Sequence, residues 1–174
     1  MQTADKRKKA GVFLGRLQPQ HPGHEFLIDM IFRENDEVVL CIGSAQEIPK
    51  TSPEYERNPL STPARKKRLE EFLAGRKYPK PYRIVTANDI EPDSAWPAYL
   101  KRRCGLSDKT DNTVYFADQI DEGYVRGLEE VGFRIRIIER KRFLYTTRKA
   151  EKHWISSATE LRTLEKGTDD TPSP

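Results

Sequence analysis

The run EVVLCIGS, residues 37–44, is almost uninterrupted in its apolar character. A strand wetted on one face alternates apolar and polar residues. A continuous run suits a strand covered on both faces, as in the parallel sheets of α/β domains. Short β-branched and aromatic runs recur at AGVFLGR (10–16), YRIVTAND (82–89), TVYFAD (113–118) and FRIRIIER (133–140), the last alternating as a half-exposed strand does. Helical patterns lie between them. PGHEFLIDMIFREND (22–36) sets Phe26, Leu27, Met30 and Ile31 on one face, and STPARKKRLEEFLAG (61–75) opens with Ser/Thr-Pro and stops at Gly75. SAWPAYLKRRCG (94–105) reads as a short helix interrupted near Pro97, EGYVRGLEEVG (122–132) ends on glycine, and SATELRTLEKG (157–167) is the last helix. This alternation predicts an α/β protein, a Rossmann-like doubly wound five-stranded parallel sheet with helices on both faces. Such sheets bind ligands beyond the carboxyl ends of their strands, where the winding reverses.

The 174 residues suit one domain, expected at 10–166, with a flexible basic arm at 1–9 and a disordered tail at 167–174 (GTDDTPSP). Residues 45–61 form a polar, proline-containing loop. No apolar stretch reaches membrane-spanning length, and the apolar part of the N-terminal segment is too short for a signal-peptide core. Cys41 and Cys104 are far apart in the chain without metal-ligand spacing. Cys41, inside VVLCIG, reads as a small buried hydrophobe, and the usage implies a reducing, cytoplasmic setting. The net charge of +4 favours anionic ligands, nucleotides and nucleic acid alike.

GRLQPQHPGH, residues 15–24, directly follows the first apolar run and holds two of the three histidines. Gly15 lets the backbone turn at the strand end. Pro22 and Gly23 suit a helix start, whose free N–H groups and dipole attract an anion. Arg16 adds a fixed charge, and His21 and His24 can donate to phosphate oxygens from the same side. The sum is a phosphate cradle without a P-loop lysine. No cysteine or carboxylate nearby completes a metal set with the histidine pair. Near the C-terminus, SATELR (157–162) offers Ser157 and Thr159 at a helix start, either as caps or as phosphate donors, with Arg162 one turn along.

HPGH resembles the HxGH signature of the nucleotidylyltransferase superfamily, and GRLQPQHPGH is similar to the GRxQPxHxGH form of archaeal-type nicotinamide-nucleotide adenylyltransferases. SATELR resembles that family's SGTEVR, with Ala158 in place of a glycine or serine. CIGSAQ (41–46) followed by RNPLSTPAR (57–65), and DIEPDSAW (89–96) beside D-I-x-x-N-x-x-W, extend the resemblance over roughly residues 10–166. It implies joining of ATP and nicotinamide mononucleotide into NAD and pyrophosphate, by in-line attack on the α-phosphate with no protein nucleophile. It implies His21, His24, Arg16 and Arg162 as the catalytic set, and Gly15, Leu17, Gln18, Arg57, Ser157 and Thr159 around ATP. Ser44, Asp93 and Trp96 would hold the nicotinamide nucleotide, the tryptophan flanking the pyridine. Position alone leaves Arg57 open as a solvated loop charge and Trp96 open as a core residue. Mg²⁺ with ATP, a homo-oligomer, and no membrane or nucleic-acid partner complete the expectation.

Two departures carry weight. Asp93 replaces an asparagine of several relatives; a carboxylate accepts from the carboxamide of nicotinamide and repels nicotinic acid, so the amide nucleotide is expected to be preferred. RKRFLYTTRKAEKHWI (140–155) is longer and more basic than expected. Its default reading is a solvated loop; it could also lie over the triphosphate or bind a partner. The competing readings are another nucleotidylyltransferase, of pantetheine-phosphate adenylyltransferase or cytidylyltransferase type, and a nucleotide-sensing or nucleic-acid-binding module without turnover.

Overall fold

The computed structural model describes residues 7–117, 120–139, 141–146, 151–155 and 157–169. Five parallel strands, β1 (Lys9–Gly15), β2 (Glu37–Ile42), β3 (Tyr82–Thr86), β4 (Asp111–Ala117) and β5 (Phe133–Ile138), pair in the order β3-β2-β1-β4-β5. The helices are α1 (Pro22–Glu34), α2 (Thr62–Arg76), α3 (Trp96–Arg103), α4 (Glu122–Glu130) and α5 (Ala158–Asp169). The expected doubly wound architecture is the one observed.

Side-chain alternation on the strands divides the core in two. Phe13, Val38, Leu40 and Ile42 point to one face and meet Leu27, Ile28 and Ile31 of α1 and Leu69 and Leu73 of α2. Val12, Val39, Cys41 and Val114 point to the other and meet Leu100 of α3 and Leu128 of α4. β2 is buried from Val38 to Ile42, as its unbroken apolar run requires. β5 alternates from buried Phe133 through exposed Arg134, half-buried Ile135 and exposed Arg136, and the pattern breaks at Ile137, which is exposed on this edge strand. The winding reverses between β1 and β4, and their carboxyl ends open the crevice where this topology places a ligand.

Several expectations change. Pro97 does not interrupt its helix: it sits in the first turn of α3, where no intrahelical partner awaits an N–H, and the residues before it form a 3-10 turn, Asp93–Ala95. The apolar face of α1 is Leu27, Ile28, Ile31 and Phe32; Phe26 and Met30 are only half-buried. Cys41 and Cys104, distant in sequence, are buried in one cluster with their thiols in contact, and that hydrogen bond, followed by burial, pushes the Cys41 thiol far up. Lys9 already belongs to β1, and α5 runs to Asp169, into the expected tail. Residues 140–155 are not a plain solvated loop. Their described part is an antiparallel pair, β6 (Phe143–Thr146) and β7 (Lys152–Ile155), separate from the main sheet. Among the described residues, no helix is long and apolar enough to cross a membrane.

Candidate active site

The HPGH stretch builds the start of α1 from its own side chains. His21 is the N-cap residue, its Nδ1 accepting from the Gly23 N–H at 3.0 Å, while His24 Nδ1 accepts from the His21 N–H at 3.3 Å. Two imidazoles thus do what a serine and a glutamate do in the usual reciprocal cap. The three-residue spacing is the spacing of that cap. Gly23 is demanded by it, because a Cβ there would lie 2.8 Å from His21 Cε1. The rings lie 3.8 Å apart at their centroids. With Nδ1 accepting, the ring proton of a neutral His24 sits on Nε2, the atom able to donate toward a ligand. Burial of the His24 ring, and the like charge of His21 beside it, push its pKa well below the usual 6.5. His24 is therefore a neutral donor near pH 7.

A cavity of about 570 Å³ opens over this helix start, lined by Arg16, Arg57 and Arg162 as well as both histidines. Arg162, on α5 at the far end of the chain, donates through Nη1 to the Gln18 carbonyl and through Nη2 to Thr159 Oγ1 at 3.1 Å. Burial first, and the nearby Arg16 charge second, lower its pKa. Cations here repel one another, a strain that an anion relieves. Ser157 Oγ accepts from the Glu160 N–H at 3.2 Å, so it caps α5 and also lines the cavity, as Thr159 does. The two motifs separated by most of the sequence thus share one cavity.

Other expected site residues have structural duties. The Gln18 side chain binds the Leu60 backbone in both directions at 2.9 Å and fastens the 45–61 loop, so its amide is committed there. Leu17 lines the cavity but is 1% exposed. Gly15 closes β1, its carbonyl accepting from the Gly43 N–H at 3.0 Å. Sequence reasoning missed Arg65. Its guanidinium is buried and donates to the carbonyls of Arg16 and Gly43 at 2.8 Å, to that of Ser44 at 2.9 Å and to Thr62 Oγ1 at 2.7 Å. Leu17 and Ser44 both have left-handed backbones, with φ of 53° and 45°. Arg65 holds the turns that contain them, each conformation costing on the order of 1–2 kcal/mol. The signal was readable: Arg65, Leu69 and Leu73 fall at one helical spacing, an arginine on an apolar stripe.

A second cavity, of about 820 Å³, lies on the α3–α4 side of the same sheet end and receives Asp93 and Trp96. Trp96 stands 5.4 Å from the Tyr124 ring. Asp89, Asp93, Asp121 and Glu130 outnumber Arg126 in its lining, so it is acidic where the first is basic. Ser44 does not line either of these two cavities. Its hydroxyl donates to Asp89 Oδ1 at 3.1 Å, and Gln46 donates to Oδ2 at 2.7 Å, which ties the ends of β2 and β3 together.

This crevice, with a histidine-capped helix start on one side and a ring-lined hollow on the other, lies at the end of a Rossmann-like sheet. The chain is similar to the bifunctional NMN adenylyltransferase/ADP-ribose pyrophosphatase of Francisella tularensis, with a TM-score of 0.65 and 22% identity over 95% of this chain and 44% of that one. In sequence it resembles nicotinamide-nucleotide adenylyltransferases: that of Thermococcus onnurineus is 33% identical over 93 residues, 53% of this chain and 47% of the relative, and that of Haloarcula marismortui 29% over 126 residues, 72% and 60%. The chain spans about half the length of the first curated relatives it matches. No family model matches it.

Proposed function

We propose that the protein transfers the adenylyl group of ATP to nicotinamide mononucleotide, giving NAD and pyrophosphate. An oxygen of the mononucleotide's 5′-phosphate attacks the α-phosphorus in line; the bond from that phosphorus to the α,β-bridging oxygen breaks, and pyrophosphate leaves with the electron pair. Such a displacement needs positioning and charge stabilisation rather than a protein nucleophile. The observation that carries the reading is the single cavity lined by both His21 and His24 together with Arg162. His24 and His21 would donate to the α- and bridging phosphate oxygens, and Arg16, Arg57 and Arg162 would hold the β,γ end. Gly15, Leu17, Ser157 and Thr159 shape the surroundings. The Gln18 backbone carbonyl orients Arg162.

Mg²⁺ enters this scheme as part of the nucleotide substrate. Among the described residues no group of three or more His, Cys, Asp or Glu could hold a metal ion, and the cavity's lining has one carboxylate, Glu139, against several cations. The ion would be carried by the phosphates and would neutralise departing pyrophosphate. Trp96 would face the pyridine ring in the second cavity. Nicotinamide mononucleotide carries a pyridinium cation, which the acidic lining favours, and Asp93 would accept from its carboxamide while repelling a nicotinate. A cytoplasmic homo-oligomer is part of the same proposal; the two buried free thiols suit a reducing setting.

The test is a matrix of donors and acceptors. ATP and CTP are each offered with nicotinamide mononucleotide, nicotinic acid mononucleotide, phosphopantetheine and glycerol phosphate, and pyrophosphate and product are measured. The expected product is NAD from ATP, with kcat/KM at least about tenfold higher for the amide nucleotide than for the acid. Turnover favouring another acceptor or CTP overturns the assignment of substrates. Equal efficiency with both pyridine nucleotides overturns the role of Asp93. Tight ATP binding without pyrophosphate release identifies a binding module instead.

A further inference from the structure

The β6–β7 hairpin does more than cap the edge of the molecule. Residues 143 and 145 are half-buried while 142, 144 and 146 are exposed, so one face of β6 turns inward. Phe143 packs on Phe26 of α1, ring centroids 5.8 Å apart, and its Cε2 lies 3.7 Å from where a Cβ on Gly23 would stand. The Phe143 ring therefore sits over the HPGH helix start itself. Tyr145 donates to Glu165 Oε1 of α5 at 3.1 Å, and Arg142 donates to the Trp154 carbonyl at 2.9 Å. The Phe143 and Tyr145 contacts hold the hairpin to α1 and α5, the two helices that carry the phosphate-directed residues, and the Arg142 bond ties its two strands together.

Lys141, two residues before Phe143, lines the same cavity as His24 and Arg162. Its Nζ stands 4.5 Å from the centre of the Phe26 ring. Among the described residues it makes no ion pair with a carboxylate. An aromatic face is a modest partner for an ammonium, far weaker than a phosphate oxygen at close range. A long, flexible cation resting on a ring at the mouth of a basic cavity is placed to exchange that ring for an anion.

We propose that Lys141 is a further substrate-binding residue of this site, delivered by the hairpin, and that its ammonium binds the polyphosphate of the nucleotide. The inference rests on the function proposed above as to which nucleotide is used. Lys141 takes no part in proton transfer; it adds a positive charge to the same cavity that Arg162 of α5 lines. Phe143 sets the hairpin's height above the helix start, and so sets the reach of Lys141.

The experiment compares wild-type protein with Lys141→Met, which keeps the stem on Phe26 but removes the charge, and with Lys141→Arg, which keeps it. The Met variant is expected to raise KM for ATP about tenfold with kcat within about threefold, an unchanged KM for nicotinamide mononucleotide and an unchanged melting temperature; the Arg variant recovers most of the loss. Calorimetric binding of α,β-methylene ATP, which is not turned over, is expected to weaken in parallel. An ATP KM and analogue affinity within about twofold of wild type for Lys141→Met overturns the proposal while leaving the adenylyl-transfer reading standing. Charge-dependent analogue binding without NAD synthesis leaves the Lys141 contact standing and removes the assigned acceptor. A wild-type protein that binds no analogue removes both. Phe143→Ala, which unseats the hairpin, is expected to raise the ATP KM in the same direction; no change there removes the hairpin's positioning part.

Discussion

The two cavities at the carboxyl end of the sheet are made by different means. The basic one is fixed by the main chain: a helix start closed by two imidazoles, a guanidinium bound to a carbonyl, a loop clamped by Gln18. The acidic one is fixed by side chains, a tryptophan beside a tyrosine with carboxylates around them. Main-chain constraint suits recognition of phosphate, which every nucleotide shares. Side-chain surfaces suit choice among acceptors, because single substitutions reshape them without disturbing the fold. On this division, changes in the first cavity should cost turnover and changes in the second should cost selectivity.

His24→Ala should break the first half of that division most severely. Loss of one preorganised donor is expected to lower kcat about 10³-fold, with little change in KM for the mononucleotide. Removing the reciprocal cap should also cost about 1 kcal/mol of stability, read from a melting curve, so folding and turnover are separable. A kcat within about tenfold of wild type would move the donor elsewhere. The protonation state offers a companion check. Because folding lowers the His24 pKa, the unfolded chain takes up its proton near 6.5 while the folded one does not. The stability tied to this ring is fully present above 6.5 and lost as pH falls toward the folded value. The kcat plateau should extend below 6.5 before its acid limb begins.

Arg65→Met comes next and joins the two cavities. It strips donors from three buried or half-buried carbonyls, at an expected cost of about 3 kcal/mol, measured as a shift in the urea midpoint. Both substrates' KM values should rise together, since the turns after β1 and β2 lose one clamp. An increase confined to ATP would show that the cavities are independent of it. Trp96→Ala should raise KM for the mononucleotide about tenfold and leave the ATP KM unchanged. The smallest effect sharpens the comparison: Asp93→Asn should keep overall turnover and shrink the preference for the amide over the acid nucleotide about fivefold, read as a ratio of kcat/KM values.

The sheet was legible because its strands are apolar or alternating runs and most of its helices carry side-chain caps, both local signals. The hairpin escaped because β6 and β7 have four residues each, sit within a strongly basic stretch, and β6 takes its inward face from α1 and α5 rather than from the sheet. The contact of Cys41 with Cys104 is a product of β2 and the end of α3 packing together, which no spacing encodes. The spacing of His21 and His24 at a helix start was readable, and the structure places both at the start of α1. Their capping of α1 was not read, because imidazole is an unusual cap. Gln18 matched a motif, yet its amide serves the Leu60 backbone, a partner far along the chain. Arg65 does carry a sequence signal, its helical spacing with Leu69 and Leu73.

The order of elements along the chain has a consequence for biogenesis. A polypeptide emerging N-terminus first has all five strands of the sheet by Ile138, and with them the imidazole corner, before any of α5 exists. A nascent or clipped product ending there would carry most of the core and the proposed histidine donors, yet lack Arg162, which lines the same cavity. Surveillance that reads only whether a sheet has formed would pass it, so competence to react arrives later than competence to fold.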